Sequence, residues 1–183
     1  MWMLESGATR TPTVGPVDVA RGEEDVGGSS SSDRCFVFSN GDWVDPGAGS
    51  CCFTAATDGG WREASRCGAA AWVGVDRGGG EGVMEYQVVV LMASSATVTE
   101  VFAGVLVLRW ALDHGCSEVV IRTDCLSFVH GLRDVRKAHV AIQSVLLDFL
   151  VICSNFRMVK VVKVSRLTVR AAHMSAREAL RGL

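Results

Sequence analysis

Four polar side chains stand where the surrounding pattern calls for apolar ones: Asp58 in "TDGGW", Glu100 in "TVTEVF", Asp124 in "VVIRTDC" and His173 in "VRAAHMS". A charge buried in such a setting is costly unless it is paired or bound to a metal. Asp58 and Asp124 each follow an apolar run, so if those runs are neighbouring strands their carboxylates meet at one sheet edge. Carboxylates held together repel and raise one another's pKa unless a cation lies between them. A hard divalent ion such as Mg²⁺, with Mn²⁺ as a substitute, suits a few carboxylate oxygens with retained water and phosphate. Two such ions about 4 Å apart can activate a water and stabilise a leaving oxygen in phosphodiester hydrolysis.

Each position also has a local explanation. Asp58 precedes Gly59 and Gly60 and could open a turn. Asp124 could cap a helix beginning at Cys125. Thr97 and Glu100 fit a T-x-x-E capping box, and a histidine on a final helix is commonly a surface or satisfied group.

The elements that must position these groups follow from period and breakers. Strands are expected at "CCFTAATD" (51–58), "CGAAAWVGVD" (67–76) and "GVMEYQVVVLMAS" (82–94), joined by short Gly-bearing connectors that imply antiparallel neighbours. "TVTEVFAGVLVLRWALDHG" carries Val101, Val105, Leu108 and Leu112 at helical spacing and ends at Gly115, which predicts a largely buried helix. A fourth strand runs into Asp124, followed by helices at "CLSFVHGL" and "HVAIQSVLLDFLVICSN". A fifth strand, "RMVKVVKVS", and a helix, "VRAAHMSAREALRGL", close the chain. The order is βββαβαβα around one mixed five-stranded sheet, with a right-handed crossover wherever strand, helix and strand succeed one another.

Residues 1–40, with "GATRTPTVGP" and "GGSSSSD", read as a flexible tail before a single domain over 41–183, the transition marked by Trp43 and Pro46. At 183 residues, 49% apolar and 21% charged, one globular core is expected. No apolar run reaches the roughly 18 residues of a membrane span, and "MWMLESGATR" has no basic region followed by an apolar core. An intracellular protein, nuclear or cytoplasmic, is therefore expected. The seven Cys form no zinc-ligand spacing and read as reduced thiols. The net charge of −2 conceals an asymmetry. Residues 1–50 hold three Arg against eight acids, net −5, whereas from Arg133 onward ten Lys or Arg face three acids, net +7. Clustered basic charge is compatible with a polyanionic partner and equally with a solvated face.

Taken in order, "TDGGW" at Asp58, "EVFAGVLVLRWAL" from Glu100, "TDC" at Asp124 and "VSRLTVRAAHMSA", with Val164, Arg166, Ala172 and His173, resemble the ribonuclease H family. The likeness is to plant retroelement-derived ribonuclease H-like domains in particular, over roughly residues 43–183. The resemblance implies a ribonuclease H-like fold with the first and fourth strands side by side. It also implies endonucleolytic cleavage of the RNA strand of RNA–DNA hybrids with Mg²⁺ on Asp58, Glu100 and Asp124. His173 is then a weaker fourth catalytic member, and no small-molecule cofactor is implied. The backbone at Gly59 and Gly60 would approach the sugar-phosphate chain, where the 2′-OH distinguishes RNA from DNA. Three departures bear on activity: His173 stands where bacterial and retroviral members usually have an acid, although many plant relatives share the histidine; Val169 stands where the family often has Asn; and "CCFTAAT" replaces the usual strand leading to Asp58. The rival readings are a catalytically impaired module of the same fold that binds nucleic acid or protein, and an α/β domain whose carboxylates are caps.

Overall fold

The computed structural model describes residues 34–41, 51–75 and 85–181. The expected tail lies, up to residue 33, outside the described residues, as do Trp43, Pro46 and the "RGGG" connector. Eleven elements follow one another: β1 (Cys35–Ser39), β2 (Cys52–Arg62), β3 (Cys67–Gly74), β4 (Tyr86–Met92), α1 (Ala96–Asp113), β5 (Glu118–Thr123), α2 (Leu126–Arg133), a 3₁₀ turn (Val135–Lys137), α3 (Val140–Cys153), β6 (Met158–Lys163) and α4 (Arg170–Arg181).

The sheet order is β1-β6-β5-β2-β3-β4. β2, β5 and β6 run parallel, joined by helical crossovers; β2-β3-β4 form an antiparallel meander, and β1 pairs antiparallel with β6. The expected fold class holds, with one correction: the sheet has six strands, not five. The extra strand is "CFVFS", inside the segment read as tail. Its Phe36 and Phe38 pack on the core, and Cys35 to Ser39 register against Val162 to Met158. Five residues joined to a partner more than a hundred positions away leave no local signature.

Alternation along β3 shows how the layers form. Ala70 and Trp72 face the large cluster under α1, α2 and α3, while Ala69 and Ala71 face a small cluster with Ala176 and Leu180 of α4. α1 is buried around most of its circumference, as its composition predicts, and ends at Gly115 in the left-handed region (φ 67°). Its cap is Ser95, whose side chain accepts a hydrogen bond from the Val98 amide at 3.4 Å. The capping box at Thr97 therefore does not form, and Glu100 lies more than a turn inside the helix with its carboxylate unspent on the backbone.

β2 is also longer than expected. It runs through Gly59 and Gly60 to Arg62, still paired with β3, so Asp58 is a mid-strand residue opposite Ala71 and not the start of a turn. A Cβ on Gly59 would lie 2.5 Å from the Glu100 amide nitrogen, and one on Gly60 would lie 2.8 Å from Leu180 Cδ1. The two glycines let α1 and α4 approach opposite faces of one strand. The parallel ladder between β2 and β5 ends at Thr57 and Thr123, and the next residue on each strand is an aspartate. Among the described residues, no helix is long and apolar enough to cross a membrane.

Candidate metal centre

The end of the β2–β5 ladder brings together three of the groups picked out above. Asp58, Glu100 and Asp124 each offer a carboxylate oxygen within 4.8 Å of the others. Asp58 comes from the strand, Asp124 from the first position beyond β5, and Glu100 from the α1 turn that Gly59 admits. Asp58 is 2% exposed; its Oδ1 accepts the Gly59 amide at 2.7 Å, and its Oδ2 lies 2.6 Å from His173 Nδ1. Asp124 does not cap α2. The cap position is Cys125 with no side-chain bond, and Asp124 Oδ1 is buried without any hydrogen-bond partner.

Burial dominates the electrostatics. It pushes Glu100 up to about 7, helped by the Asp58 and Asp124 charges and opposed by a hydrogen bond from the Cys125 thiol and by Arg166. Burial also raises Asp58, with Asp124 acting in the same sense, while the Gly59 amide and His173 hold it down. Cys125 is pushed well above the ordinary thiol range, first by burial and then by Glu100, so it is a protonated donor and not a nucleophile.

His173 reaches this centre from α4, where its backbone N–H donates a hydrogen bond to the carbonyl of the fully buried Val169 at 2.9 Å. The histidine is thus partly buried and partnered, as the satisfied-group alternative also allows. It does not join the oxygen cluster, because Nδ1 is turned onto Asp58. Arg166 Nη2 lies 3.5 Å from the same nitrogen, but one Nδ1 cannot both donate to Asp58 and accept from Arg166. The 2.6 Å contact is the stronger.

Two neighbours escaped the sequence reading as site residues. Arg166 Nε lies 3.8 Å from Asp124 Oδ2, and Cys125 bonds Glu100. Both sat inside quoted motifs, but only the convergence of three elements gives them partners. Gly59 and Gly60 are in place beside Asp58, and their close contacts are with helices α1 and α4.

An orphaned buried carboxylate oxygen beside two further carboxylates, both with their proton affinity raised, suits a hard divalent cation. The residues present fit such an ion, with Asp58, Glu100 and Asp124 as its holders.

The chain matches the reverse transcriptase-like family over residues 56–179. Among curated proteins there is no significant match. Solved structures with the same architecture include ribonuclease H1 of the halophilic archaeon Halobacterium salinarum, 21% identical, TM-score 0.62, covering 72% of this chain and 99% of that one. The N-terminal ribonuclease H domain of a Mycobacterium tuberculosis protein is 18% identical, TM-score 0.61, over 69% and 97%. A compost-derived ribonuclease H1, solved in complex with an RNA/DNA hybrid, is 18% identical, TM-score 0.58, over 69% and 94%. At these identities the likeness establishes the fold, and the family match spans Asp58, Glu100, Asp124 and His173. The chain belongs to the reverse transcriptase-like family and has a ribonuclease H-like fold.

Proposed function

We propose that the protein binds RNA–DNA hybrids and hydrolyses their RNA strand endonucleolytically with Mg²⁺. The observation that carries this reading is the convergence of Asp58, Glu100 and Asp124 around an unpartnered oxygen on a ribonuclease H-like fold. The hybrid complex of a structural neighbour supports the choice of substrate. Bound by the three carboxylates, a divalent cation would supply the positive charge that water attack and departure of the phosphate's leaving oxygen require.

The chain's own groups do the rest. The Gly59 amide and His173 fix both oxygens of Asp58 and so orient its carboxylate. The Cys125 thiol orients Glu100. Arg166, 69% exposed at the rim and beside Asp124, is placed to meet phosphate. The half-exposed backbone at Gly59 and Gly60, next to Asp58, is the nearest neutral surface for a sugar-phosphate chain. The basic C-terminal part of the chain adds long-range attraction. The proposal extends to a nuclear or cytoplasmic protein descended from a plant retroelement.

A second reading has one observation in its favour. His173 occupies Asp58 Oδ2, where an acid would instead add negative charge, so the same site could hold nucleic acid without cutting it. Incubating a 5′-labelled RNA–DNA hybrid with the protein and Mg²⁺ or Mn²⁺ separates the two. Internal cleavage that is lost in Asp124→Asn supports the enzyme; salt-sensitive hybrid binding with no cleavage by folded protein replaces it with the binding module.

A further inference from the structure

At the opposite end of the β2–β5 ladder, two thiols face one another. Cys51, exposed, directly precedes β2; Cys116, buried, lies between α1 and β5. Their Sγ atoms are 3.4 Å apart. The backbone around them is fixed, because the Cys51 carbonyl accepts the Ser117 and Glu118 amides, both at 3.1 Å, and the Cys116 amide bonds the Ala111 carbonyl at 2.9 Å. A disulfide has an S–S length of about 2.05 Å, so the sulfurs need to close by only about 1.4 Å, within the reach of side-chain rotation. Neither thiol is used by the carboxylate site.

We propose that Cys51 and Cys116 form an oxidisable dithiol, a modification site that a low-molecular-weight disulfide converts to an internal disulfide. The exposed Cys51 starts the exchange. Its thiolate attacks one sulfur of oxidised glutathione, forming a mixed disulfide and releasing one glutathione. Cys116 then loses its proton and attacks the Cys51 sulfur, expelling the second glutathione. Two protein thiols are oxidised by two electrons, and one glutathione disulfide is reduced to two thiols. Burial, and then the Cys51 thiol, push Cys116 up to about 12, which keeps it protonated and leaves the first attack to the exposed Cys51.

The bond would join residues 65 positions apart and tie the entry of β2 to the connection between α1 and β5. Six residues of strand, roughly 20 Å, separate Cys52 from Asp58, so the carboxylate geometry is untouched and oxidation leaves the site's own activity unchanged.

Treating the full chain with oxidised glutathione, alkylating the remaining thiols and mapping non-reduced peptides by mass spectrometry tests this. A linked pair containing Cys51 and Cys116, lighter by two hydrogens than its reduced parts, is expected, with the melting temperature raised by roughly 5–15 °C. Cys116→Ala should stop at a glutathione adduct on Cys51 and lose that rise. If wild-type Cys51 stays reduced, remains a glutathione adduct, or joins Cys52 or another cysteine, the proposal is overturned. The wild-type peptide map decides this even if the variant does not fold.

Discussion

The face of the sheet beneath α1, α2 and α3 buries Trp72, Phe128, Phe149 and Phe156, whereas the opposite face meets α4 through Ala69, Ala71, Ala176 and Leu180. The candidate metal centre straddles the two. Glu100 comes from the deep side, on a helix buried around most of its circumference, and His173 from the shallow side, on a helix packed on small side chains. Small side chains bring the α4 backbone close but remove little apolar area from water, and stabilisation scales with that area. The three carboxylates thus rest on strands and on the best-packed helix. His173 sits on the thinner layer, whose buried cluster is small.

Phe149→Ala should test this contrast most severely. Phe149 is fully buried edge-on against Phe128, and its loss should cost about 3–5 kcal/mol in denaturant unfolding. Leu180→Ala, on the thin side and at the last turn of α4, should cost about 2 kcal/mol or less; equal costs would dissolve the distinction.

The metal-free protein should lose stability as pH rises from about 4.5 through about 7. Glu100 binds its proton more tightly folded, at about 7, than at its ordinary 4.5. The folded state therefore holds more protons across that window, and its advantage fades as the group must ionise in place. Asp58, also raised, acts in the same direction from lower pH. For Glu100 alone the loss is roughly 3 kcal/mol, read as a fall in melting temperature between pH 4.5 and 8. Mg²⁺ should flatten that slope by offsetting the same charges.

The smallest expected effect is on the shallow side. His173→Ala removes the bond to Asp58 Oδ2 but no cation ligand, so it should reduce hybrid cleavage only about 10-fold. Hybrid affinity should hold. A loss as deep as that of Asp124→Asn would place His173 among the essential groups.

The elements around this site were legible where period and breakers agree. α1 has an apolar circumference and Gly115 behind it, and the strands ending near Asp58 and Asp124 are apolar with a polar break. The misreadings have a common cause. "DGG" suggests a turn because glycine is rare inside strands, yet here Gly59 and Gly60 make room for helices on either face. T-x-x-E suggests a capping box, but Ser95 two residues earlier takes the cap. β1 was missed because its partner β6 lies at the other end of the chain. Arg166 and Cys125 gained roles only when three elements met, a fact local pattern does not encode.

The central claim is that Asp58, Glu100 and Asp124 form one cation site. Calorimetric titration of the protein with Mg²⁺ at pH 8, beside Asp124→Asn, tests it most directly. Saturable binding by the wild type that disappears in the variant, both remaining folded, is the predicted result. No binding by the wild type, or binding undiminished in the variant, would contradict it.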